Sequence, residues 1–264
     1  MTERARVVWS EGMFLRTQHF QQHDRYLEAL IVTLLCLAPL SWAEPSLRTQ
    51  AVLLTANALV YFDADPRARP DERHLTRMQQ ARQGLRRQLD ARPRPEPLRR
   101  AVEALLARQA ELAAVPREQA PRYPQLLVAL LDARLQLEAQ LQQHEHEPNA
   151  PAQVLQRIDQ NIGELLLHAL ARSARVLGDH SLNLEQSGFL ALDEQIEADF
   201  AEAIALLPAQ TEVLHKQRLA YRFVRKRLLD AAVTQVDSSL ERYVAGVLVS
   251  LDMLAADPTL DPLP

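Results

Sequence analysis

An all-α fold is predicted for this chain, and three features predict it. Glycine is scarce, 6 in 264 residues, while Leu, Ala, Gln, Arg and Glu dominate; these side chains lose little freedom in a helix. Apolar residues recur every three or four positions over most of the length. Most of the 16 prolines cluster between those stretches, at 66–70, 93–97, 116–124, 148–151 and from 258 onward, so they separate helices without interrupting them. An antiparallel helical bundle or an extended array of helical hairpins follows, with little or no sheet.

The elements can be justified in turn. A helix is expected from Thr17 to about Leu40, polar at first and then wholly apolar. A second fits Ser46 to Phe62, with Ser46 as N-cap, although Ala51 to Phe62 is the one place where a strand competes. Asp71 caps a third, in which Leu75, Met78, Ala81, Leu85 and Leu89 line one face. Leu98, Val102, Leu105, Leu106 and Leu112 mark a fourth, and Leu127, Leu130, Leu131 and Leu135 a fifth, from about Tyr123 to Gln143. The cleanest periodicity runs from Val154 through Ile158, Ile162 and Leu166 to Leu177, with Gly178 as the expected C-cap. Three more helices are expected over Phe189–Leu207, Ala209–Asp230 and Thr234–Ala255; the last carries Val236, Leu240, Tyr243, Val247, Leu251 and Leu254 at alternating steps of three and four. No internal repeat of fixed period is present, which argues against a regular solenoid.

A formal net charge of -4, from 30 basic and 34 acidic residues, gives no global attraction to nucleic acid. Cys36 is the single cysteine, so no intrachain disulfide can form.

The most specific signal lies near the start. Val8-Trp9-Ser10-Glu11-Gly12-Met13-Phe14-Leu15-Arg16 is followed by Gln18-His19-Phe20-Gln21-Gln22 and Asp24-Arg25-Tyr26-Leu27-Glu28. This run, about residues 7–28, resembles the opening of TssK, the type VI secretion baseplate subunit, with Thr17 where that family usually has Pro. The resemblance implies a trimeric, cytoplasmic structural adaptor without catalysis or cofactor. Its partners would be other baseplate proteins or copies of itself. It also implies a β-rich shell domain after the motif, then a helical neck and a head that contacts the membrane complex. Strand-like alternation is nearly absent after Glu28, and the long β-rich shell is not found there.

Beyond Glu28 the chain turns apolar, from Leu30 to Leu40, and reaches Ser41-Trp42-Ala43-Glu44. An apolar core of that length, a proline at its end and small residues at 41 and 43 are the parts of a secretory signal cleaved between Ala43 and Glu44. The run is short for a bilayer span. A buried core helix is the competing reading, and membrane contact stays open. The division expected is a TssK-like segment at 1–29, the apolar run at 30–43, a helical body at 44–256 and a Pro-rich tail at 257–264. The alternative to a cytoplasmic adaptor is an exported, periplasmic helical protein. Leu219 to Leu229, with Tyr243 downstream, is similar to small exported helical proteins of gammaproteobacteria.

Candidate chemistry is sparse. His144-Glu145-His146-Glu147 is dense in ligand types, but adjacent helical residues diverge, whereas a metal on one face needs ligands three or four apart. His19 and His23 have that spacing and lack an acidic partner. Arg218, Arg222 and Arg225 stand at i, i+4 and i+7, either a solvated face paired with neighbouring acids or a face able to hold phosphate, anionic lipid or an acidic partner. Glu194, Glu197, Asp199 and Glu202 form an acidic run. No phosphate loop, dinucleotide fingerprint, nucleophile elbow or zinc-protease motif occurs. No catalytic, cofactor or metal residues are assigned, and a non-enzymatic protein is expected.

Overall fold

The computed structural model describes residues 44–65, 71–144, 149–174, 186–230 and 238–257. The chain divides into two compact units, Met1–Trp42 and Ala43–Pro264, and every described residue lies in the second. Among them are eight α-helices and no strand, so the fold is all-α. They are α1 (Leu47–Tyr61), α2 (Glu72–Ala91), α3 (Glu96–Ala113), α4 (Tyr123–His144), α5 (Ala150–Ser173), α6 (Gln186–Leu206), α7 (Thr211–Leu229) and α8 (Ser238–Ala255). Short 3₁₀ turns at Arg117–Arg122 and Pro208–Gln210 lead into α4 and α7.

Local chemistry sets the helix starts. The Ser46 hydroxyl accepts from the Thr49 backbone N–H at 3.2 Å, Asp71 accepts from the Arg73 N–H at 2.9 Å, and Asn149 accepts from the Ala152 N–H at 2.9 Å. Each satisfies one of the donors that a helix start leaves free. The segment Ala51–Phe62, where a strand competed, is helical to Tyr61, and the Phe62 N–H closes the last turn on Ala58 O at 2.9 Å. The helix expected to reach Leu177 ends at Ser173 with Ala174 as its cap, and Gly178 lies outside the described residues. The last helix begins at Ser238 among the described residues, which leaves Val236 outside them.

Packing centres on α1 and α5. Helix α1 touches α2, α4, α5 and α8, and α5 touches α1, α6, α7 and α8. The pairs α1/α2, α3/α4, α5/α6 and α7/α8 pack as hairpins, which the connections favour. Helices α2 and α3 barely touch in spite of their short link. Twelve of the fifteen residues of α1 are buried, from Leu47 to Leu59, including Arg48, Thr49, Gln50, Thr55 and Asn57. A helix covered on all sides shows no amphipathic stripe, and α1 shows none. Close approach is permitted by glycines on its neighbours. A Cβ on Gly84 of α2 would sit 2.5 Å from Gln50 Nε2, and one on Gly163 of α5 would sit 3.3 Å from a Val52 methyl. The Phe62 ring then meets Tyr123 of α4 edge-on, centroids 5.2 Å apart.

Candidate functional site

The arginine face of α7 is turned toward carboxylates of α6. Arg218 and Arg222 both donate to Glu197, at 2.6–2.9 Å, and Arg225 forms a two-pronged pair with Asp193. Asp193 is 1% exposed and also accepts from the Tyr221 hydroxyl at 2.6 Å. Burial, followed by that bond to a carboxylate, pushes the Tyr221 phenol upward. The acidic run has partners of its own, because Arg157 of α5 reaches Asp199 at 2.7 Å and Glu202 at 2.9 Å. The three arginines thus clamp α6 to α7, with two of them sharing one carboxylate.

Glu197 carries the pH dependence of this clamp. The guanidinium of Arg222, then that of Arg218, holds its carboxyl down to about 2. A carboxyl lowered in the fold adds stability that is complete above its unfolded value, about 4.5, and is lost as pH falls toward about 2. Glu197→Gln is expected to cost about 1–2 kcal/mol at neutral pH and to flatten the acid limb of stability between those values. Urea unfolding followed by circular dichroism at a series of pH values measures both effects.

Two buried polar networks, invisible to motif reading, flank α1. In the first, Arg48 Nε donates to both oxygens of Glu138 of α4 at 3.0 and 3.1 Å. The adjacent Thr49 hydroxyl donates to Asp159 of α5 at 3.2 Å, and the Ser46 N–H donates to Asp252 of α8 at 2.5 Å. Burial raises Asp159 well above the ordinary carboxylate range, Asp252 adding to the effect; Asp252 itself is raised by burial. Asp159 Oδ1 is buried without a hydrogen bond. Carboxyls raised in the fold hold protons that the unfolded chain releases, so this end is most stable below about 3.8 and loses stability as pH climbs through the folded values. Its pH dependence opposes that of Glu197.

In the second network, His74 of α2 lies 2.8 Å through Nδ1 from Asn57 Oδ1, and Asn57 Nδ2 donates to Glu241 Oε1 of α8 at 2.8 Å. Arg77 donates to Glu241 Oε2 at 2.7 Å. Glu241 is wholly buried, and burial pushes His74 below its ordinary value, against the pull of Glu241. A neutral imidazole donating to Asn57 completes the relay from His74 through Asn57 to Glu241. Such chains fix helix register. They assemble no acid, base and nucleophile around a substrate space.

The remaining candidates are quickly placed. His144 ends α4, while Glu145, His146 and Glu147 lie outside the described residues, as do His19, His23 and the motif residues Trp9 to Phe20. Ala43 lies outside them too; Glu44 is exposed and accepts from Arg87. Among the described residues no His, Cys, Asp or Glu group has the geometry of a metal site, and no helix is long and apolar enough to cross a membrane. A groove of about 500 Å³ between α2 and α3 is lined by Arg82, Arg86, Asp90 and Glu103, and neither buried network reaches it.

No protein-family model matches the chain, and no solved structure matches it. Over 66 residues it is 52% identical to the type VI secretion system baseplate component TssK1 of Pseudomonas aeruginosa. That stretch is 24% of this chain and 15% of that protein, so the chain spans a small part of its relative's length. The chain carries a TssK-like segment.

Proposed function

We propose that the chain is a non-enzymatic structural component of a type VI secretion baseplate, acting on the cytoplasmic side. The observation that carries this reading is the 52% identity to a baseplate component, joined to the ordered motif Trp9, Glu11, Gly12, Met13, Phe14, Leu15 and Arg16. The residue chemistry is in keeping with it, since several of the less exposed charged groups join one described helix to another.

The test is affinity purification of the tagged full chain from a cell that expresses a complete baseplate. Stoichiometric recovery of baseplate subunits, lost on Trp9→Ala with Phe14→Ala, supports the proposal. Recovery of none of them overturns it.

A further inference from the structure

We infer that the outer face of α7 is a docking surface for an acidic amphipathic helix of another protein. Leu219 and Phe223 are the most exposed large apolar side chains among the described residues, at 70% and 65%. They stand four residues apart, and Lys216 and Lys226 stand three residues outside them, so the four form one stripe at steps of three, four and three. These are the two lysines of the whole chain, and both are exposed. Three of the four arginines of α7 point elsewhere: Arg218 and Arg222 are held by Glu197, and Arg225 by Asp193, on the side toward α6, whereas Arg227 donates to Ser239 of α8.

The surface is also prepared for contact. Phe223 meets Tyr243 of α8 edge-on with centroids 5.2 Å apart, and Arg242 lies over the Tyr243 ring at 5.3 Å. An exposed aromatic already supported from one side loses less freedom on binding than a free one, and Tyr and Arg at the margin are the side chains that dominate interfaces.

Charge selects the occupant. A second copy laid in register along the stripe sets lysine against lysine, Lys216 on Lys226 if antiparallel and each on itself if parallel. Self-association in that register is therefore opposed at both ends. A partner helix with two apolar residues between carboxylates meets the apolar pair and both ammonium groups together. This inference stands on α7 and α8 alone and holds whether or not the chain belongs to a secretion baseplate.

The test uses the full chain and two stapled helical peptides, each with two leucines four residues apart, flanked by glutamates in one and lysines in the other. Fluorescence anisotropy should report saturable binding of the glutamate peptide only. Leu219→Ser and Phe223→Ser should each weaken it about tenfold or more, with helical content and melting temperature retained because both side chains are exposed. Lys216→Glu combined with Lys226→Glu should reverse the preference, so that the lysine peptide binds. Equal binding of both peptides, binding of neither, or failure of the reversal overturns the inference. So does binding to phosphatidylglycerol vesicles in place of the peptide, or a dimer in sedimentation that Phe223→Ser abolishes.

Discussion

Arg48→Met is expected to destabilise the fold by about 3–5 kcal/mol, the range found when one member of a buried ion pair is removed. Arg48 and Glu138 are each 7% exposed, and the guanidinium lies among the carboxyls of Glu138, Asp159 and Asp252. Without it, those acids face one another in a region that already disfavours their charge. Methionine conserves most of the apolar stem, so lost packing contributes little. The double variant Arg48→Met with Glu138→Leu should recover much of the loss, since a buried pair replaced by apolar groups of similar volume is often neutral. Chemical unfolding of the two variants beside the parent decides the matter. A double variant no better than the single one would move the origin of the effect from charge to packing.

Glu241→Ala should be nearly as severe, at about 3 kcal/mol. It strips one of the two acceptors from Asn57 Nδ2, whose other is Leu53 O, and the acceptor of Arg77, and opens a void beside His74. For a domain of this size the melting temperature should fall by about 6–12 °C. Glu241→Gln, which keeps an acceptor oxygen, should fall by clearly less. A second readout isolates the electrostatics. Glu241 is the largest influence raising the His74 imidazole, against the burial that lowers it, so its loss should lower the imidazole further in an NMR titration. A histidine lowered in the fold gives stability that is present above its unfolded value, about 6.5, and is lost as pH falls through the folded value. Mild acid should therefore loosen the α1–α2–α8 contact first.

The fold class was legible because composition and periodicity carry it, and caps such as Ser46 and Asp71 were legible because they act within three residues. Side chains whose meaning depends on distant neighbours were not. Helix α1 reads as an ordinary apolar helix, and nothing local says that Arg48 will meet Glu138 or that Asn57 will meet Glu241. One signal was available: polar residues at 48, 50 and 57 in a helix with apolar residues on every side must be buried and must find partners. Apolar periodicity puts Leu75 in the buried stripe of α2, yet its polar neighbour His74 is the more buried of the two. Spacing places Arg218, Arg222 and Arg225 on one face of α7. Its carboxylates lie 21 to 32 residues away on another helix, beyond the reach of periodicity.

The placement of α1 also governs the order of assembly. Beyond α2, its polar partners lie far along the chain: Ser46 is bonded to a residue 206 positions later, and Asn57 to one 184 positions later. The most buried described helix is thus made before part of the surface that covers it, and its burial is complete only with α8. Contacts of such separation slow folding and leave apolar surface open to aggregation in the meantime. During synthesis the α3/α4 hairpin, whose helices pack mainly on each other, can form early, while α1 stays partly uncovered until α5 and α8 emerge.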